Sequence, residues 1–127
     1  MSSSEILCEF KKNLITFIDE LIGQFPSEID FIFIRIYLKD QIPIEKIMDI
    51  FLTTILKDDQ KIKKMARERN EAFFLDNVFD SFGKDKVDNF KKLWRSGRLD
   101  KADKKIVWSW FDTFIYLADK YNKLKAL

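Results

Sequence analysis

Nine basic side chains crowd the stretch from Lys84 to Lys105: Lys84, Lys86, Lys91, Lys92, Arg95, Arg98, Lys101, Lys104 and Lys105, set against four aspartates. Lysines and arginines grouped in this way displace counterions from phosphates, so the chemistry on offer is contact with nucleic acid or another polyanion. The contacts expected to carry it are Lys84, Lys91, Lys92, Arg95, Arg98, Lys101, Lys104 and Lys105. Lys84, Lys91 and Arg95 are expected on one side of their helix, away from Phe90 and Trp94. The short turn Ser96-Gly97-Arg98 would join two helices in a helix-turn-helix hairpin. Against this stands the apolar character of the second helix, which suits burial better than a groove. No base-reading side chains accompany the charges, and solvated outer faces of amphipathic helices explain them as well.

Other residues offer less. Cys8 is the single cysteine, so no disulfide can form within the chain; with no cation adjacent to it in sequence, it reads as a buried structural thiol. Asp76, Asp80, Asp85 and Asp88 lack the alternate-position ligand spacing of an EF-hand and are better explained as caps and surface charges. Trp94, Trp108 and Trp110, with Phe111, supply rings for an aromatic cage, but their helical spacing is that of a core. Lys61, Lys63, Lys64, Arg67 and Arg69 form a second basic run, diluted by Glu68 and Glu71. Histidine is absent, which removes the commonest general base and metal ligand and every Ser-His or Cys-His pair. The three glycines are isolated, so no glycine-rich loop cradles a phosphate. No cofactor, metal or small-molecule substrate is expected, and the chain reads as a protein without enzymatic activity.

The elements that would position these residues are helical throughout. Ser2-x-x-Glu5 reads as a capping box, followed by a stripe of Leu7, Phe10, Leu14, Phe17, Ile18 and Leu21 that ends at Gly23. A second helix follows Pro26 with Ser27 as its N-cap. Residues 31–38 are rich in β-branched and aromatic side chains, which would suit a strand; without a sheet partner they read as a buried helix. Pro43 opens a third helix with Ile44, Ile47, Met48, Phe51, Leu52 and Ile55 on one face. Asp58-Asp59 caps a fourth, whose face is Ile62, Met65, Ala66 and Phe73. A short helix or loop through Phe74, Leu75, Val78, Phe79 and Phe82 ends at Gly83. A fifth helix spans 85–95, with Gly97 as a left-handed C-cap. Asp100 and Asp103 start the last helix, which is apolar around more than half its circumference and is expected at the centre. The fold class is all-α: one domain over residues 1–127, a compact bundle of five or six helices around a long apolar C-terminal helix.

Of 127 residues, 46% are hydrophobic and 13 are phenylalanine, which supplies a bulky core. The net charge of +2 conceals a division. Residues 1–60 hold six Lys/Arg against eleven Asp/Glu, and residues 61–127 hold seventeen against ten. Such a split would steer assembly with a complementary partner or a second copy. A protein partner would need an exposed apolar patch, expected among the aromatics from Phe73 to Phe82. No secretory leader or membrane span is read in the chain, so an intracellular location is expected.

The pattern Glu71-Ala72-Phe73-Phe74-Leu75, Phe90-Lys91-Lys92-Leu93-Trp94, Ile106-Val107-Trp108-Ser109-Trp110-Phe111-Asp112 and Leu117-Ala118-Asp119-Lys120-Tyr121 resembles short helical proteins encoded by large nucleocytoplasmic DNA viruses of eukaryotes. The resemblance lies mainly in residues 71–121. It brings no activity or binding residues with it and implies a viral setting, in the particle or the cytoplasm of the infected cell. The functional expectation is a non-enzymatic protein that binds another protein or itself, such as a virion component. The alternative is sequence-independent nucleic-acid binding through residues 84–105.

Overall fold

The computed structural model describes residues 2–56, 61–78 and 84–126, and every regular element in them is helical. Helix α1 runs Ser3–Gln24 and starts at the capping box read from the sequence: the Glu5 amide donates to the Ser2 hydroxyl, and the Glu5 carboxylate accepts from the Ser2 amide. Phe25 closes it, its amide donating to Leu21 at 2.8 Å. Pro26 then prevents continuation.

Helix α2 is Ile29–Ile36, so residues 31–38 are helical as expected, but the segment is not buried throughout: Ile32, Phe33 and Ile36 are exposed. Its N-cap is Glu28, with no side-chain cap bond, in place of the expected Ser27, which lies in the preceding turn. The helix then widens into a π turn, Tyr37–Gln41, closed by the Ile42 amide donating to the Tyr37 carbonyl five residues back. Helix α3 is Ile44–Leu56, directly after Pro43.

The fourth helix is shorter than its periodicity suggests. Helix α4 spans Lys61–Arg67 and stops where Arg69 adopts φ 54°, a left-handed conformation that ends a helix. Asn70 then caps a new element, its side chain accepting from the Phe73 amide at 3.0 Å. Helix α5, Glu71–Phe73, passes straight into a second π turn, Phe74–Val78. The expected cap Asp58-Asp59, and Phe79, Phe82 and Gly83, lie outside the described residues.

Helix α6 covers Lys84–Arg95 and ends before Gly97 at φ 82°, as the C-cap expectation required. Helix α7, Lys101–Lys125, begins with a reciprocal cap between Asp100 and Asp103. The architecture is therefore the expected all-α bundle with a long C-terminal helix.

Helices α1 and α7, first and last in the chain, pack together, and α3 lies against both. Phe114 of α7 is the hub. Its ring meets Phe10 at 5.9 Å, Phe17 at 5.8 Å and Phe51 at 6.4 Å, all edge to face. Such pairs add about 0.5–1.5 kcal/mol each beyond the area they bury. Phe74 closes one end, stacked on Phe111 and edge-on to Trp108. Phe90 of α6 reaches both Phe17 and Phe31.

Helix α7 is not enclosed on every side. Its neighbours cover Val107, Trp108, Phe114, Leu117, Ala118 and Tyr121, whereas Ile106 and Tyr116 stand in solvent. Among the described residues, no helix is long and apolar enough to cross a membrane.

Candidate functional site

Three charges of the basic stretch, Arg95, Arg98 and Lys104, are used within the molecule. Arg98 donates to Glu28 at 2.7 Å while its guanidinium lies 5.0 Å over the Phe25 ring. Lys104 pairs with Glu71 at 3.4 Å and sits 5.2 Å over Trp94. Arg95 reaches Asp76 at 3.4 Å. Lys92, Lys101 and Lys105 are exposed. Lys84 opens α6, and its side chain lies outside what is described.

Lys91 is a correction. It is 9% exposed, not on an outer basic face. The reason is helical register: Lys91 directly follows Phe90 and stands three residues before Trp94, so it shares the stripe that faces inward. Its butyl stem can line that stripe as apolar material. Cys8 is a second correction, since it is exposed rather than buried.

The expected apolar patch at 73–82 is not found among the described residues there: Phe73 is half-buried against the core, and Phe74 and Leu75 are buried. The patch is on α2 instead. Ile29, Ile32, Phe33 and Ile36 recur at steps of three and four and are 59%, 41%, 61% and 42% exposed. The opposite face of α2 buries Phe31 against α1 and α6, which fixes which side looks outward. Arg35, paired with Asp19 of α1, holds the helix flank.

Between α1, α2, α3 and α7 lies a partly open cavity of about 220 Å³. Phe10, Phe17, Phe31 and Phe114 form buried walls; Ile34, Tyr37, Leu38 and Ile50 in its lining are half-buried. Among the described residues that line it, none is charged. The Thr54 hydroxyl in its wall donates to the Ile50 carbonyl at 2.9 Å. Closed and empty, a void of that size would cost about 5 kcal/mol at about 24 cal/mol per Å³. That is a large part of the roughly 5–15 kcal/mol separating a folded domain from its unfolded chain.

Titratable groups in structural roles show displaced pKa values. A hydrogen bond from Lys63, with its Nζ 2.7 Å away, holds the Asp119 carboxyl below its ordinary value, and the charges of Lys63 and Lys123 add to this. Glu5 is lowered by the Ser2 amide and then by the Ser2 hydroxyl. Arg69 is raised by its hydrogen bond with Asp112.

Sequence reasoning missed both the α2 stripe and the cavity. The stripe's spacing was present at 29, 32, 33 and 36, but α2 is apolar on two opposite faces, with Asp30 and Arg35 between them, and nothing in it marks which face is uncovered. Comparison of this chain with protein-family models, curated proteins and solved structures finds no match.

Proposed function

We propose that this protein acts by binding rather than catalysis, through a weak two-fold self-association along the outer face of α2. The observation that supports it is the stripe Ile29, Ile32, Phe33 and Ile36, exposed to water on a helix packed against α1. The four side chains expose on the order of 400 Å² of apolar surface, within the roughly 300–600 Å² of a monomer's largest and often functional patch. Of the charges along this segment, Glu28 and Arg35 are engaged within the molecule by Arg98 and Asp19, and Lys39 adjoins Asp40 at its end. An antiparallel copy opposes the two helix dipoles.

The area also sets the strength. Two such faces bury about 800 Å², below the roughly 1,200–2,000 Å² of stable complexes, so the dimer is transient in dilute solution. A weak contact of this kind is effective where copies are crowded, as in the viral particle that the resemblance of residues 71–121 suggests. The nucleic-acid reading has less behind it, because Arg95, Arg98 and Lys104 already face carboxylates and Lys91 is buried.

The test is sedimentation velocity over a concentration series reaching the millimolar range, with the double variant Ile29→Lys/Phe33→Lys alongside. The average mass of the wild type is expected to rise toward that of two chains, and the variant is expected to remain at one. A wild type that stays at one chain throughout, or a variant that associates equally, overturns the reading.

A further inference from the structure

We infer that the cavity between α1, α2, α3 and α7 is a binding site for one hydrocarbon chain. This is independent of the α2 outer face, which points the other way. Three observations carry it. The first is volume: apolar cavities of about 150 Å³ stay dry and take up benzene or xenon, and this one measures about 220 Å³. At the roughly 30 Å³ that a water molecule occupies in the liquid, such a space holds about seven units of that size.

The second is shape. The lining runs along α1 from Phe10 to Leu21, a rise of about 16 Å at 1.5 Å per residue. A space that follows α1 over three turns admits an extended chain.

The third is chemistry. Among the described residues that line the cavity none is charged, so a carboxylate or phosphate inside would find no partner among them. Water finds few partners there: it needs two to four polar groups, and among the described lining residues only Thr54, whose hydroxyl donates to Ile50, and Tyr37 carry a polar side-chain atom. The chain therefore enters with its polar head left outside, beside the half-buried Ile34, Tyr37, Leu38 and Ile50.

The probe is 1-octanol, titrated into the wild-type protein by calorimetry and by thermal unfolding. Leu14→Phe and Ile34→Phe each add a ring to the lining and fill the space; Phe33→Lys alters the outer face of α2 and leaves the cavity intact. Saturable binding of one octanol per chain is expected, with Tm rising as octanol is added. Either filling variant, helical by circular dichroism, is expected to bind at least tenfold more weakly, and Phe33→Lys to bind as the wild type does. In the unsubstituted protein, nuclear Overhauser contacts are expected between octanol methylenes and the rings of Phe10, Phe17 and Phe114. Absence of saturable binding overturns the inference. So does undiminished binding in both filling variants, or Overhauser contacts confined to Ile29, Ile32, Phe33 and Ile36, which would place the alcohol on the outer face.

Discussion

Arg69 occupies a backbone conformation that ordinarily belongs to glycine, φ 54°, just past the end of α4. A left-handed turn costs a β-carbon-bearing residue roughly 1–2 kcal/mol, so its side chain must return something. It does so three ways: two parallel bonds to Asp112 at 2.8 Å each, a bond to the Ala66 carbonyl at 3.0 Å, and a guanidinium 5.5 Å over Trp108. Arg69→Ala keeps the strain and loses all three, and should destabilise by about 1–2 kcal/mol. Arg69→Gly loses the same contacts but relaxes the backbone, so it should be milder by about 1 kcal/mol. Chemical denaturation of the two variants gives the order, and a glycine variant worse than alanine would show that strain is not the deciding term. Nothing in the sequence marked this position, because an arginine in a basic run looks like solvated surface until the chain turns beneath it. Lys91 misled in the opposite sense: its charge suggested solvent, whereas its register between Phe90 and Trp94 placed it inward.

Among the elements, ends were more legible than interiors. Both capping boxes follow from side chains that reach three residues along the chain, a local geometry written wholly in local sequence. The helical assignment of 31–38 followed from topology, since an isolated strand has no ladder to join. The two π turns were not legible. Each adds one residue to a helical turn, and the shift in register they produce cannot be told from imperfect periodicity. Ser27 failed as a cap because the turn after Pro26 carries it one residue too early. The cap on α7 has a measurable worth: Asp100→Ala removes the acceptor of the Asp103 amide and should cost about 1 kcal/mol. The expected signature is a lower denaturation midpoint with unchanged slope. An unaltered midpoint would mean that the tertiary packing of α7 alone defines where it begins.

Across the molecule, ion pairs tie distant segments together, and Lys63–Asp119 between α4 and α7 illustrates their modest strength. The carboxylate is about a third exposed, so solvent screening limits the pair to under about 1 kcal/mol. Asp119 is held below its unfolded value of about 3.9, so its contribution is present above that pH and is lost as pH falls through the depressed value. Asp119→Asn should therefore melt slightly lower than wild type near neutrality, with the gap closing in acid. A gap that persists at the acid end of a Tm series would assign the effect to packing rather than charge.

The pairing of the first helix with the last has a consequence for how the protein is made. Phe10 and Phe17 of α1 find their cover in Phe111 and Phe114 of α7, which leave the ribosome far later. At roughly 5–20 residues per second, α1 waits on the order of 5–20 s for its partner. Throughout that interval its aromatic stripe is exposed on the nascent chain, a natural substrate for a chaperone. The native core closes only when translation has delivered α7.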